Sequence, residues 1–542
     1  MRGAITRRQA LAALLGACSI PLVGALPGCS SQKNADSSFL NVSDSAASTP
    51  AASSSAKYGF GVSSDSVEAT KIGMDILSSG GNAVDAAVAV SYALGVAQPY
   101  GSGIGGGGAM LVYDVGSKKG SFLDYYDAAP SSFNSAHGQA CIPGFVAGLE
   151  TAHKQWGKES LPDLIQPAID LAENGVTVSP KLATMLLSYG NRVSDMHCFF
   201  SDEGDALGEG DTLVQKELAD TLKKIKDGGA SAFYGGDNGN DLAQALGCTR
   251  DDLMAYAPSS REPAKASCYG YEVYAAPAPF AGVTTIQYLE LLEAMNAPAA
   301  QRDPDGYLAA LQRASSLASS AYSAHIGDPA FVQVDESDLV SNQFVSSLLS
   351  NGVAGGYGDD EEGISTTAFS VVDQNGLIAS VTNTIGNFFG CGVNLNGFSL
   401  NNHMTSFSAV PVNAFAPGKR PRSHISPSVA VGDELAFAIG TPGGNRIPKL
   451  LASVLHDVLF GGEKLQAAVD KNRVCFVNDI AYAEQLSDRD DLVPDSALGN
   501  YSAVRKGKGD FFGAVQACGC STNGKAVGAN DSRRDGSFES KK

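Results

Sequence analysis

The spacing of apolar residues changes character along this chain. Over residues 67–77 they recur every three or four positions, the period of a helix, and Gly80-Gly81 stops it. Asn82 is placed to cap a second helix over 83–96, so rich in Ala and Val that it must be buried on every side. A glycine-rich loop over 100–108 then leads into a strand over 109–113. Residues 143–345 read as mainly helical, with periods at 160–173, 212–226 and 282–295 and a short strand over 270–276. A Gly- and acid-rich loop, 351–363, ends that part. From Thr366 the period drops to two. Runs 368–373 and 377–382 flank a Gln-Asn-Gly turn and predict a hairpin. Strands follow at 428–431 and 435–439, then helices at 448–460 and 464–469. No solenoid repeat is present. The pattern predicts an α+β protein: helices flanking a largely antiparallel sheet, with a long loop feeding one strand.

Gly101 to Gly106 match G-x-G-x-x-G, but the dinucleotide fingerprint requires a strand before it and a helix after. Here the order is helix, loop, strand. The glycines are therefore read as points where backbones approach closely.

Composition narrows the function classes. Of 542 residues, 44% are apolar and 18% charged, which suits a globular chain and excludes a mainly disordered one. The formal charge of −19 repels phosphate, which argues against nucleic acid or an anionic membrane surface as a partner. The first 28 residues read as an export signal: Arg2, Arg7 and Arg8 precede an apolar stretch broken by Pro21 and Pro27. The run around Arg7-Arg8 resembles a twin-arginine signal, and Leu26-Pro-Gly-Cys29 resembles a bacterial lipobox. Cys29 would then be lipidated and anchor an extracytoplasmic protein to the bacterial cell membrane, with Ser/Ala-rich residues 29–57 as a tether. The other eight Cys would face an oxidising space, and their pairing cannot be read from spacing. Cys518-Gly-Cys520 lacks His companions at zinc spacing, so metal is not expected there.

No P-loop, H-E-x-x-H or G-x-S-x-G motif is present. One uncommon arrangement is. Thr366-Thr367 stands at the mouth of a strand, directly after the acid-rich loop. A Thr hydroxyl is a poor nucleophile unless a base takes its proton. A cut before Thr366 would free an α-amine to serve as that base, with an ordinary pKa of roughly 7.7–8.0. Thr-Thr at a strand start is also what β-propensity alone would place there.

Motifs spread from Gly59 to Phe538 resemble the γ-glutamyltranspeptidase family. They include Gly80-Gly-Asn-Ala-Val-Asp-Ala-Ala-Val88, Ser102-Gly-Ile-Gly-Gly-Gly-Gly108, Pro143-Gly-Phe-Val-Ala-Gly148, Gly210-Asp-Thr-Leu-Val214 and Gly327-Asp-Pro329. Thr366-Thr-Ala-Phe-Ser-Val-Val-Asp373, Leu400-Asn-Asn-His-Met404, Arg420-Pro-Arg-Ser-His-Ile-Ser-Pro427, Thr441-Pro-Gly-Gly-Asn-Arg446 and Arg533-Arg-Asp-Gly536 continue the series. The resemblance implies an N-terminal-nucleophile hydrolase with an αββα sandwich, cut by itself between Ser365 and Thr366. A large subunit (58–365 beyond the tether) and a small one (366–542) would stay together as a heterodimer. Thr366 would be the nucleophile, Thr384 its supporting hydroxyl, and Gly443 and Gly444 the backbone donors of an oxyanion hole. Amide acyl groups, γ-glutamyl ones such as glutathione by default, would pass to water or an amino acceptor, without metal or other cofactor.

The glutamate-binding positions depart from the family. Its carboxylate-binding Arg falls on Tyr126, its ammonium-binding Asp on Thr405, and its paired serines on Ser423-His424. An Asn two residues after the second threonine becomes Gly386, and Pro-Pro-Pro-Ser-Ser-Gly-Gly becomes Pro277-Ala-Pro-Phe-Ala-Gly-Val283. Loss of both members of a charge-complementary pair implies a changed acyl pocket, in which Arg422 or His424 either supplies a substitute cation or points to solvent. Two alternatives follow: an acylase of the family acting on a non-glutamyl amide, or a non-catalytic surface lipoprotein that keeps the fold.

Overall fold

The computed structural model describes residues 57–132, 138–352, 364–507 and 509–542. The signal, Cys29, nearly all of the tether and most of the loop before Thr366 lie outside the described residues.

Two antiparallel sheets form the centre. The first has seven strands, in the order Ser537–Lys541, Phe60–Ser64, Ile364–Val372, Leu377–Asn387, Gly107–Asp114, Lys119–Tyr125 and Ser259–Arg261. The second has six: Ala526–Ala529, Gln516–Ser521, Leu435–Gly440, Ser428–Val431, Tyr271–Ala275 and Ala264–Cys268. The predicted hairpin is the centre of the first sheet, with Asp373 Oδ1 accepting from Asn375 N and Leu377 N to close its turn.

Period-two alternation assigns the faces. Phe369 and Val371 point into one apolar core with Val84 and Val88 of helix Ala83–Ala97 and Phe145 of helix Phe145–Trp156. Ala368 and Ser370 point to the second sheet: a Cβ on Gly440 would lie 3.3 Å from that of Ala368, and Ser370 Oγ donates to Gln516 O at 3.1 Å. The far side of the second sheet is covered by helices Gly282–Ala294, Pro304–His325 and Ile447–Leu459 in a second core. The layers therefore run αββα, as the resemblance implied. Thr366, two residues before Ala368, lies on the face between the sheets.

Helix Ala83–Ala97 shows how local chemistry serves this layering. Asn82 accepts from Val84 N and Asp85 N while Asp85 accepts from Asn82 N, a reciprocal cap worth about 1 kcal/mol. Asp373 Oδ2 accepts from Ala83 N at 3.1 Å and joins the hairpin turn to that helix N-terminus. The glycine loop behaves as expected: a Cβ on Gly105 would meet Ser399 O at 2.1 Å, and one on Gly106 would meet Thr384 O at 2.2 Å.

The expectation of one helix over 212–226 needs correction. Residues Thr212–Leu213 form a strand paired with Val176–Thr177, and the helix runs Lys216–Tyr234 with a break at Gly229, φ 60°. Among the described residues all eight Cys are free thiols.

Candidate active site

The site begins with an irregularity in the central hairpin. Thr367 pairs with Asn383 and Ser365 with Gly386, so two residues, Thr384 and Ile385, stand opposite Thr366. This bulge turns Thr384 toward the chain it faces. Its Oγ1 donates to the carbonyl of Ser365 at 2.8 Å and accepts from Gly386 N at 2.9 Å. Thr366 is buried, and its own carbonyl accepts from Arg534 Nη1 at 2.7 Å. Arg534 Nη1 also meets Asp65 Oδ2 at 3.1 Å, and Gln516 Nε2 donates to Asp65 Oδ1 at 2.8 Å. Burial pushes the Asp65 carboxyl up to about 6, and the Arg534 guanidinium opposes that rise. Ser102 and Thr367 share a hydroxyl hydrogen bond of 2.7 Å that braces the next residue of the strand.

Gly443 and Gly444 follow the second-sheet strand Leu435–Gly440 and precede helix Ile447–Leu459. Their φ angles of 142° and 60° are open to glycine and unfavourable for other residues. Among the described residues neither amide N–H donates to an internal acceptor. Gly444 borders a cleft of about 430 Å³ that also contains Thr366 and Thr384. The bulge, the nucleophile candidate and the glycine turn thus meet at one opening, although 77 residues separate Thr366 from Gly443. Such donors, fixed in a sheltered site, can stabilise a tetrahedral oxyanion by roughly 3 kcal/mol each.

The model of the family described as gamma-glutamyltranspeptidase matches residues 69–540. The chain belongs to the gamma-glutamyltranspeptidase family. The Bacillus anthracis capsule biosynthesis protein CapD proenzyme is 36% identical over 487 residues, covering 89% of this chain and 91% of that protein. The Escherichia coli K12 glutathione hydrolase proenzyme is 32% identical over 537 residues, covering 88% and 91%. A solved structure of cephalosporin acylase from Bacillus halodurans covers 92% of this chain and 99% of its own, with TM-score 0.78 and 24% identity, a likeness of fold.

Of the positions where the resemblance implies a departure from the gamma-glutamyltranspeptidase pattern, Tyr126, Gly386, Thr405, Ser423 and His424 line the cleft, and residues 277–283 do not. Tyr126 is buried, with its ring 4.6 Å from that of His403 and 5.7 Å from that of Phe280, and its hydroxyl bonds Ser423. Burial raises the Tyr126 phenol well above its ordinary value, so it is neutral and supplies no charge. Thr405 is exposed at the rim, its hydroxyl engaged with Asn402 O at 2.8 Å and Asn402 Nδ2 at 3.1 Å. Gly386 has φ 85°, and a Cβ there would lie 1.8 Å from Asn402 Oδ1. That oxygen accepts from Asn387 N at 2.7 Å, so Asn402 occupies the space a side chain at 386 would need.

His424 is not the substitute cation. Its imidazole is pushed down to about 3 by burial and by Arg422, Lys449 and Arg446, so it is neutral at any physiological pH. It packs against Tyr322 instead, with ring centres 4.8 Å apart and planes tilted by 30°. Arg422 does line the cleft, with Nη1 donating to Ser323 O at 3.1 Å and Tyr322 O at 3.3 Å.

Sequence reasoning passed over three groups. His403 lines the cleft with Nδ1 held by the buried carboxylate of Asp127, whose pKa burial raises against the pull of that imidazole. Asn402 rebuilds the wall beside Gly386, and the Asp65–Arg534 pair backs Thr366. His403 and Arg534 stood inside motifs already noted, but nothing in the linear order joins them to Asp127 or Asp65.

Proposed function

We propose that this chain severs itself between Ser365 and Thr366 and then uses Thr366 as an N-terminal nucleophile for amide acyl transfer. The observation that carries this is the Thr384 hydroxyl on the Ser365 carbonyl at 2.8 Å, at the one peptide bond whose cleavage frees the amine of Thr366. In the first reaction Thr366 Oγ1 adds to the Ser365 carbonyl, whose developing charge Thr384 stabilises. The C–N bond breaks, an ester forms, and water hydrolyses it to a Ser365 carboxylate and a free Thr366 amine. That amine then takes the proton of the Thr366 hydroxyl. A substrate amide is attacked in the same way, with its oxyanion at the N–H groups of Gly443 and Gly444. The amine leaves with the proton, and the acyl ester passes to water or an amino acceptor.

The names of the relatives support this reading, since two are proenzymes and one of those is a glutathione hydrolase. Residues 29–365 and 366–542 would remain a heterodimer. γ-Glutamyl amides are the family's default substrate, but the neutral residues at 126 and 405 favour a different acyl group. A non-catalytic binder would have no use for Thr366, Thr384 and the Gly443-Gly444 turn in one cleft. We further propose the lipid anchor at Cys29. The Cys29→Ser variant should be released from the membrane fraction and should fail to incorporate labelled fatty acid.

A denaturing gel tests self-processing. Wild type should yield a fragment of 177 residues (542 − 365) whose Edman sequence begins Thr-Thr-Ala-Phe, and Thr366→Ala should stay whole. A single uncut wild-type band after prolonged incubation would falsify the reading.

A further inference from the structure

We propose that Arg422 selects the acyl group, and that the group it selects carries a carboxylate and no free ammonium. This rests on the acyl-transfer reading above and gives its substrate class.

Among the described residues that line the cleft there is no Asp or Glu. An entering ammonium would give up water and meet no anion among these residues in return, an unfavourable exchange for a poorly compensated charge. The hydroxyl at the family's acid position, that of Thr405, is already engaged by Asn402. The Asp127 carboxylate behind the wall is likewise taken, by His403 Nδ1 and by Gly144 N at 2.9 Å.

The positive side is built differently. Arg422 is fixed at Nη1 by the Ser323 and Tyr322 carbonyls, and its guanidinium lies 5.0 Å from the centre of the Tyr322 ring. Its Nε and Nη2 donate to no acceptor among the described residues. A guanidinium held at one corner presents its remaining N–H groups in a fixed fork that suits a carboxylate. Burial, Arg422, Lys449 and Arg446 all lower the pKa of the His424 imidazole, so that ring adds no anion to this wall. Tyr126, Tyr322, Ile425 and Ile447 supply apolar surface for a short methylene chain between the carboxylate and the amide.

Two kinds of compound share this chemistry: monoamides of dicarboxylic acids, and γ-glutamyl groups whose nitrogen is itself acylated. In either, Thr366 Oγ1 bonds to the amide carbon, the C–N bond breaks, and the amine departs with the proton relayed by the Thr366 α-amine. Water then cleaves the ester and yields a dicarboxylate.

The test compares four p-nitroanilides with the severed enzyme: glutaryl, N-acetyl-γ-glutamyl, γ-glutamyl and pentanoyl. Pentanoyl matches glutaryl in length without its charge. Glutaryl, N-acetyl-γ-glutamyl or both should exceed γ-glutamyl and pentanoyl in kcat/KM by at least about tenfold. The better of the first two identifies the natural kind. In Arg422→Gln the glutaryl-to-pentanoyl ratio should fall toward one, and Arg422→Lys should keep part of it. Severing of the chain and circular dichroism check that each variant folds. Best turnover of γ-glutamyl or pentanoyl anilide, or an unchanged ratio in Arg422→Gln, overturns the proposal. Severed protein that turns over none of the four sinks the acyl-transfer reading, and calorimetry then still judges this one. N-methylglutaramate should bind at least tenfold more tightly than N-methylpentanamide and lose that margin in Arg422→Gln, whereas equal binding rejects it.

Discussion

Thr384 affects its neighbour through a single oxygen that both donates to Ser365 O and accepts from Gly386 N. Replacing it with Val keeps the shape but removes both bonds and strands a buried N–H, a loss of about 1–3 kcal/mol. Thr384→Val should therefore slow self-cleavage by at least about tenfold, read from the half-time of the uncut band. Glu290 raises a different residue-scale question. It is buried in helix Gly282–Ala294, Oε2 has no hydrogen-bond partner among the described residues, and burial, helped by Glu293, pushes its carboxyl up to about 8 from an ordinary 4.5. The fold prefers the protonated form. Its stabilising effect is complete below pH 4.5 and is lost as pH rises toward 8, at ~1.4 kcal/mol per pH unit. Glu290→Met should be more stable than wild type at pH 8 and differ less at pH 5, as measured by Tm at the two values.

At the scale of elements, the site depends on a bulge in one hairpin and on the glycine loop packed behind it. A Cβ on Gly106 would press within 2.2 Å of Thr384 O, the backbone of the bulge itself. Gly106→Ala should leave the secondary structure intact by circular dichroism and yet delay self-cleavage, because it shifts Thr384 relative to Ser365. Cleavage at the wild-type rate would show that the bulge tolerates displacement. The hairpin and helix Ala83–Ala97 were readable from the chain because period-two alternation and an Ala-rich helix with an Asn cap are local signals. Strands Phe60–Ser64 and Ser537–Lys541 were not. Each is five residues long and acquires its place from partners hundreds of positions away.

On the scale of the whole molecule, both sheets draw strands from each side of the proposed cut. In the first sheet Phe60–Ser64 and Gly107–Asp114 enclose the hairpin that starts at the cut, and in the second Tyr271–Ala275 pairs with Ser428–Val431. Severing one peptide bond leaves these ladders and both cores in place. The two fragments should co-elute in gel filtration and separate only in denaturant. Asp65 and Arg534 add an ion pair across the two pieces, buried on both sides. Arg534→Leu would leave Asp65 buried without its cation, at a cost of about 3–5 kcal/mol, visible as a lower Tm and looser association.

The chain by itself determined the family, the order of the main helices and strands, the threonine at the head of a strand, and the uncharged residues at 126 and 405. Those signals are local in sequence, carried by periodicity, caps, turns and contiguous motifs. Tertiary structure alone decided what the altered pocket became. His424, Arg422 and Lys449 lie within 27 positions of one another, yet which of them carries charge into the cleft depends on burial and mutual repulsion in the folded state. Likewise the replacement of a side chain at 386 by Asn402, and the support of Thr366 by Asp65 through Arg534, arise only when distant segments are packed together. Electrostatic and steric effects act through space, and the linear sequence does not record those distances.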